Sequence, residues 1–363
     1  MRVLLTYGPI GYSGEVVTLD APDAPFLKDL PYQVTALGPQ RTTYGYTPKL
    51  GRWLRQNRHR FDGVVVNGLW QYCGLAARLN LHGRVPYVVF THGMLDPYFK
   101  KTFPLKHFKK AIYWYLVEYW VLKGAFRVLF TASQEEKLAR RSFTTYSWTP
   151  YVVPYGSGGT PYSAEEAVPA FQAAMPHLNG KRFLLFLGRI HRKKGVDLLV
   201  NAFAQCAVND PGLELVVAGP DQQGWAENLM RSARKSGVDH RIHWPGILLG
   251  REKWGSLYAC EAFILPSHQE NFGIAVAEAL ACGRPVLLSD QVNIAPEVVE
   301  DGAGYMESDT LAGTVRLIDR WIATSPEQRE TMRILAARSF HTRYDMKENA
   351  KTIIGLFSMA GKV

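Results

Sequence analysis

Short apolar runs recur along the whole chain, with amphipathic stretches or polar breaks between them. Apolar runs of about four to eight residues, bounded by glycine, proline or polar residues, are typical of buried strands. We therefore predict strands at residues 2–7, 15–20, 32–37, 63–67, 86–90, 127–133, 151–156, 182–187, 213–218, 242–246, 262–266 and 281–289. Helices are predicted at residues 47–56, 71–81, 99–120, 252–258, 273–280 and within 311–360. Strands that alternate with helices predict an α/β fold.

The length of the chain, 363 residues, corresponds to about two domains. We predict a first domain at residues 1–160 and a second at 181–340. The stretch 161–180 is expected to be a linker because it contains Gly, Pro, Ser and Ala. No helical apolar periodicity appears before Tyr32, so the first strand–helix–strand unit is expected to be shortened by one helix.

Two helix starts carry signals for an N-cap. Thr47 precedes Pro48, a combination that favours a helix beginning at the proline. Ser133 is followed three residues later by Glu136, the spacing of a capping box. We expect Thr47 and Ser133 to cap their helices.

Basic residues are concentrated in the first half of the chain. Residues 1–160 carry 20 Lys and Arg against nine Asp and Glu, a net charge of +11, whereas residues 161–363 carry 22 against 23. Such an asymmetry is typical of a surface that meets an anionic partner. Nucleic acid, anionic lipid, an anionic acceptor and a solvated surface without a partner all remain open.

Cysteine usage and apolar run length point to a cytoplasmic protein. Cys73, Cys206, Cys260 and Cys282 have no metal-ligand spacing and lie in or near apolar runs, so we expect buried free thiols in a reducing compartment. The opening apolar run is broken too soon, at Gly8-Pro9, to be a signal peptide. No apolar run approaches the ~18 residues of a membrane span.

The stretch 99–120 interleaves lysines with aromatic residues. Lysines at 100, 101, 106, 109 and 110 alternate with Phe99, Phe103, Phe108, Tyr113 and Trp114. For residues 99–110, contact with a membrane headgroup layer or an anionic acceptor competes with an ordinary amphipathic helix whose lysines face solvent. For residues 112–120 we expect packing on the sheet.

The most informative stretch follows the strand at 262–266. A polar turn leads into a helix that begins near Gly273, with Glu270 in the loop and Glu278 about one turn into the helix. The amides and dipole of a helix N-terminus favour a phosphate. A carboxylate on each side is then placed to accept hydrogen bonds from sugar hydroxyls. The alternative is an amphipathic helix with two solvated glutamates.

The string Ser267-x-x-Glu270-x-Phe272-Gly273-x-x-x-x-Glu278-Ala-x-Ala-x-Gly-x-Pro-Val resembles the donor site of family 4 retaining glycosyltransferases. Within that family, Met94-Leu-Asp96-Pro97 resembles enzymes that build bacterial cell-surface polysaccharides. The resemblance implies the GT-B fold, in which two Rossmann-like domains face each other across a cleft and a C-terminal helix, here 341–363, crosses back to the first domain. It also implies a UDP- or GDP-sugar donor, no required cofactor and no metal site, and we find no Asp-x-Asp motif.

The resemblance assigns roles to residues at three matches. In the string above, Glu278 would accept from ribose hydroxyls, Glu270 from sugar hydroxyls, and the amides near Gly273 would hold the diphosphate. Gly188-Arg189, followed by Lys194-Gly195, is similar to the family's diphosphate clamp. His92, at the end of the strand 86–90, would lie beside the transferred sugar. The implied donor-binding residues are Gly11, Arg189, Lys194, Asn271, Phe272, Gly273, Ile274 and Glu278, and the implied catalytic residues are His92 and Glu270.

These matches predict a retaining glycosyltransferase that acts on a glycan or lipid-linked acceptor, in the cytoplasm or on the inner face of the plasma membrane. Two alternatives share the fold. One is a nucleotide-sugar-binding protein with a weakened donor site, since the first unit is shortened, and the other is a non-hydrolysing sugar-nucleotide epimerase. A nucleic-acid binder is disfavoured because the basic half contains no recognised module.

Overall fold

The computed structural model describes residues 11–98, 100 and 104–360. The chain divides into two compact units. Unit 1 comprises the residues up to Pro154 together with those from Met346 onward, and unit 2 comprises Tyr155–Asp345. The unit boundaries thus fall after residues 154 and 345, where the sequence predicted them after residues 160 and 340. The strand expected at residues 2–7 lies outside the described residues.

The described residues of unit 1 form two parallel sheets. Strands β1 and β2 form one, and the other has the order β3-β4-β5-β6. Their bounds are β1 Glu15–Thr18, β2 Gln33–Ala36, β3 Val64–Asn67, β4 Tyr87–Phe90, β5 Arg127–Phe130 and β6 Pro150–Val152. The carboxyl ends of β3 and β4 lie side by side, because Asn67 is in register with Phe90.

The connection from β1 to β2 lacks an α-helix, as expected. Parallel strands need a crossover of a dozen or more residues, commonly a helix. Here residues 19–32 supply that length with only a short 3-10 turn, Pro25–Leu27. A Cβ on Gly38 would lie 2.0 Å from the carbonyl oxygen of Leu19, so the chain leaving β2 runs directly against the start of this connection.

Helices cover both faces of the four-stranded sheet. Among the described residues of unit 1, the α-helices are α1 Pro48–Asn57, α2 Tyr72–Leu81, α3 Pro104–Tyr113, α4 Tyr119–Gly124, α5 Ser133–Ala139 and α14 Met346–Ala360. Along β4, Tyr87 and Val89 belong to one core and Val88 and Phe90 to another, as the alternation of a strand requires. The second core includes Ile353 and Leu356, so α14 packs on unit 1. Thr47 caps α1 as predicted, accepting from the Lys49 amide.

Unit 2 is built on a six-stranded parallel sheet with the order β12-β11-β10-β7-β8-β9. The strands are β7 Arg182–Leu187, β8 Leu213–Ala218, β9 Ile242–Gly246, β10 Ala262–Leu265, β11 Val286–Ser289 and β12 Gly304–Glu307. The helices are α6 Ala164–Ala174, α7 Val196–Cys206, α8 Ala226–Lys235, α9 Gly250–Ala259, α10 Ile274–Ala281, α11 Ala295–Glu300, α12 Leu311–Ala323 and α13 Pro326–Ser339. Between β10 and β7 the strand order departs from chain order, and loops at such a point form ligand sites in open α/β sheets.

Three expectations differ from the structure. The segment 161–180, expected to be a linker, contains α6, whose Ala167 and Phe171 are buried within unit 2. Its signal was the capping box of Ser163 and Glu166, which outweighs the loop-like composition. Ser133 begins α5 rather than capping it. In the segment 112–120 the expected packing is wrong for Ile112, Tyr115, Leu116 and Trp120, which are 48–72% exposed.

Candidate active site

The loop between β10 and α10 has the geometry that the sequence predicted. Helix α10 begins at Ile274, directly after Gly273, whose φ is +75°. A Cβ at Gly273 would lie 3.1 Å from Val276 and 3.3 Å from Glu270, so both conformation and space favour glycine. The amides of the first turn of a helix have no intrahelical acceptor, so this turn presents donors at the end of β10.

Glu270 is fixed by backbone and side-chain contacts. Its amide donates to the carbonyl oxygen of Gln291 at 3.0 Å, and its carbonyl oxygen accepts from the amide of Asn293 at 3.0 Å. Its carboxylate forms an ion pair with Lys194, and both side chains are 18% exposed. The sequence predicted both residues for the site but not their contact. To bind a phosphate, Lys194 must either contact the phosphate and Glu270 together or release Glu270.

Glu278 lies in the second turn of α10 and is only 5% exposed. Its Oε1 accepts from the Nζ of Lys253 on α9 at 2.6 Å. A buried carboxylate needs such a partner, because desolvation of an unpaired charge costs several kcal/mol. Lys253 was not predicted, and the sequence offers no motif for it, since its role depends on how α9 lies against α10.

The basic loop after β7 packs against the loop after β10. Gly195 has φ +65°, and a Cβ there would lie 2.0 Å from the carbonyl oxygen of Pro266. The amide of His268 donates to the carbonyl oxygen of Lys193 at 2.9 Å. Arg189 is exposed and has no ion pair with another described residue. The glycine therefore brings the two loops together, with Lys194 against Glu270.

The remaining predicted residues of unit 2, which follow Glu270 in the loop and at the start of α10, differ in how deeply they are buried. Asn271 is half-buried, and its Oδ1 accepts from the side-chain amide of Asn293 at 3.1 Å. Phe272 is 3% exposed and packs against Tyr155 and Tyr344. Ile274 is 57% exposed. The Phe272 ring is thus part of the core, and only the backbone of this residue is left for a ligand.

In unit 1, His92 follows β4 and adopts an unusual conformation, with φ +52°. Its Nε2 lies 3.1 Å from the Oδ1 of Asn67, the last residue of β3, and its ring stacks on Phe90. Burial lowers the pKa of His92 to about 4, so the ring is neutral at physiological pH. Gly11 also lies in unit 1, in an exposed turn before β1, with φ +84°.

A buried carboxylate holds the backbone around His92. Glu135, in the first turn of α5, is 3% exposed. Its Oε1 accepts from the Thr91 hydroxyl and the Gly93 amide, each at 2.6 Å. Its Oε2 accepts from the amide and hydroxyl of Thr131, at 2.7 and 2.6 Å. Sequence reasoning gave Glu135 no role and named only the neighbouring Glu136, as part of a capping box, because nothing local shows that Glu135 turns back toward the sheet.

The described part of the chain contains neither a candidate metal centre nor a membrane-spanning helix. Within residues 11–98, 100 and 104–360, no three or more His, Cys, Asp or Glu side chains group together in a way that could bind a metal ion. In the same part of the chain, no helix combines the length and apolar character needed to cross a bilayer.

Unit 2 therefore offers matched groups for a sugar phosphate. Cations suit phosphate oxygens, and here Lys194 and the exposed Arg189 lie on the loop after β7. Carboxylates accept from sugar hydroxyls, and Glu270 and Glu278 lie before and within α10. Each glutamate is paired with a lysine of the same unit, so both carboxylates have a positively charged partner before any ligand binds.

Comparison with known proteins agrees with this architecture. The family model "Glycosyl transferase 4-like domain" matches residues 9–156, and the model "Glycosyl transferases group 1" matches residues 169–338. Among solved structures, the Anabaena protein HepE in complex with UDP has a TM-score of 0.74 at 18% identity, covering 99% of this chain and 95% of that one. Sucrose-phosphate synthase from Thermosynechococcus elongatus has a TM-score of 0.72 at 20% identity, covering 99% and 92%.

Curated relatives match over shorter stretches. D-inositol 3-phosphate glycosyltransferase from Actinosynnema mirum is 36% identical over 166 residues, which are 41% of this chain and 37% of that protein. Glycogen synthase from Mycobacterium tuberculosis is 33% identical over 135 residues, or 37% and 32%. The chain thus spans about a third of the length of these relatives. With both family models matched in order and the fold shared along the whole chain, it belongs to the family 4 glycosyltransferases and has their GT-B fold.

Proposed function

We propose that this protein transfers a sugar from a nucleoside-diphosphate sugar to a hydroxyl group of a glycan or lipid-linked acceptor, with retention of configuration and without a metal ion. One observation carries the proposal: two glutamates, each paired with a lysine, lie before and within the first two turns of α10. Relatives named as glycosyltransferases and a UDP-bound structural neighbour support it. The biological setting we propose is cell-surface polysaccharide synthesis at the inner face of the plasma membrane.

The role proposed for each residue follows from its charge. Arg189, Lys194 and the amides at Gly273 stabilise the negative charge that develops on the departing diphosphate, the term that usually dominates such catalysis. Glu278 accepts from the ribose hydroxyls and Glu270 from those of the transferred sugar. His92, neutral above pH 5, orients that sugar, and Gly11 approaches the donor phosphates.

The donor base is best tested with UDP and GDP. The neighbour HepE is described in complex with UDP and glucose, so we expect UDP to bind more tightly. Calorimetric titration of the wild type should give a micromolar dissociation constant. Glu278→Gln should weaken it by at least tenfold, because a hydrogen bond to a charged group contributes about 1.5–3 kcal/mol. Glu252→Gln, an exposed glutamate on α9, is the matched control and should bind as the wild type does.

The outcomes separate the candidate functions. Absence of binding to either diphosphate would refute the donor site. Binding without sugar transfer or donor hydrolysis would instead identify a nucleotide-sugar-binding protein with a weakened site. Interconversion of UDP-sugar epimers without any acceptor would identify an epimerase. A transferase with metal-independent chemistry should keep its full rate in EDTA.

A further inference from the structure

A row of exposed apolar side chains follows the helical segment 104–124 of unit 1, which comprises α3, a π-helical turn at Trp114–Glu118, and α4. The exposed fractions are 83% for Leu105, 68% for Phe108, 51% for Ile112, 50% for Tyr115 and 72% for Leu116. At ~100° per residue these five side chains occupy an arc of only ~100°. They therefore form one continuous face, which we call the apolar row.

The opposite side of the same segment is anchored in the core. Trp114 is fully buried, stacks on Phe143 with ring centres 4.3 Å apart, and donates from its Nε1 to the carbonyl oxygen of Thr145 at 2.9 Å. Val121 and Leu122 are buried as well. The core contacts of this helix are thus satisfied on one side, and the apolar row is a second, separate apolar face.

The charged residues of the segment that carries the apolar row are nearly all lysines. No Asp or Glu occurs between residues 97 and 117, whereas this stretch contains five lysines. Lys106 and Lys109 are exposed on α3. At the other end, the Nζ of Lys123 lies 5.2 Å from the ring centre of Trp120, which is 48% exposed. The exposed charges that the segment itself carries beside the apolar row, Lys106, Lys109 and Lys123, are thus all positive.

The positive charge beside the apolar row favours an anionic bilayer over a second copy of this chain as its partner. A second copy of this chain would place like-charged lysines against each other across a two-fold contact, which is unfavourable. An anionic bilayer offers an apolar layer for Leu105 and Phe108 and a negative surface for the lysines. Aromatic rings such as Tyr115 and Trp120 are suited to the boundary between these layers.

We propose that the apolar row and its lysines bind the surface of an anionic phospholipid bilayer, with the segment 104–124 lying in the plane of the headgroups. This inference deepens the proposed function and rests on it for its biological meaning, since it places the acceptor-side unit at a membrane that carries lipid-linked acceptors. The binding itself is independent of nucleotide chemistry.

The test is co-sedimentation of the full chain with vesicles. Vesicles of phosphatidylcholine with about 30% phosphatidylglycerol are compared with pure phosphatidylcholine, at low and high salt. The variants are Leu105→Ser with Phe108→Ser, and Lys106→Glu with Lys109→Glu. The matched controls in unit 2 are Val208→Ser with Ile334→Ser, which are 78% and 64% exposed, and Arg234→Glu with Lys235→Glu, which are also exposed.

We expect the wild type to bind the anionic vesicles, and to bind them more weakly in high salt and on neutral lipid. Each double variant in α3 should lower the partition coefficient by at least tenfold, because both apolar insertion and basic charge contribute. Both control pairs should bind as the wild type does. UDP titration of every variant verifies that the donor site is intact, so failure of membrane binding is distinguishable from failure of the proposed function.

Two results would overturn the inference. One is a wild type that does not bind anionic vesicles, or variants in α3 that bind them undiminished. The other is a wild type that is dimeric by light scattering and becomes monomeric in Leu105→Ser with Phe108→Ser, which would assign the apolar row to a second copy.

Discussion

Glu135 offers the sharpest test of how the fold positions His92. The change is Glu135→Gln, which keeps the size of the side chain and replaces one carboxylate oxygen by an amide nitrogen. Each oxygen accepts one hydroxyl and one backbone amide, those of Thr91 and Gly93 on one side and of Thr131 on the other. A hydroxyl can rotate and accept from the new nitrogen, but a backbone N–H cannot.

One buried amide therefore loses its acceptor whichever way the glutamine is oriented. An unsatisfied buried donor costs about 1–3 kcal/mol, and the remaining hydrogen bonds lose their charge assistance, so we expect a loss of about 2–4 kcal/mol. The two amides lie at the adjoining ends of β4 and β5, so the loss should appear as local opening of these strand ends, which include His92. Because 1.4 kcal/mol is a factor of ten, peptides that cover residues 88–96 should exchange amide hydrogen at least tenfold faster.

Glu136→Gln is the matched control. Glu136 forms an ion pair with Arg140 one helical turn away at 2.5 Å, with the arginine side chain 43% exposed and the glutamate 13% exposed. Helix pairs at this spacing contribute about 0.3–0.5 kcal/mol, so the loss should be small. Glu135→Gln should also lower sugar transfer while UDP binding, which we assign to unit 2, stays unchanged. Equal exchange around His92 in the two variants would refute the role of Glu135.

Three further predictions each concern a single residue. Burial raises the pKa of Glu118 to about 7, so the folded state holds a proton that the unfolded state releases above pH 4.5. The free energy of unfolding should therefore fall by about 3 kcal/mol as the pH rises from 4.5 through 7. Urea unfolding of Glu118→Gln should lack that fall. Gly195→Ala should cost about 2–5 kcal/mol in thermal or urea unfolding because its Cβ meets Pro266, whereas Gly237→Ala, at φ +69° with open space, should cost about 1. Because burial holds the pKa of His92 near 4, sugar transfer measured from pH 5 to 8 should show no titration of this ring; a step that disappears in His92→Gln would contradict that.

Local sequence determined the elements and the loops that carry the site. The apolar run of β10, the turn at Gly273 and the helix after it could be predicted because each depends on neighbours in the chain. The same holds for Thr47 at the start of α1, and for the missing helix between β1 and β2, where no helical periodicity exists. Composition misled at α6, an 11-residue helix that is rich in alanine.

Tertiary structure decided which residues meet. The pairs Lys194–Glu270 and Lys253–Glu278 are separated by 76 and 25 positions in the chain. Glu135 reaches Gly93 across 42 positions, and no pattern around Glu135 distinguishes it from Glu136. Likewise, periodicity shows that the segment 104–124 is amphipathic, but only packing shows that Trp114 faces the core while Phe108 stays exposed. Hydrophobic period depends on the local chain, whereas pairing and exposure depend on which elements the fold brings together.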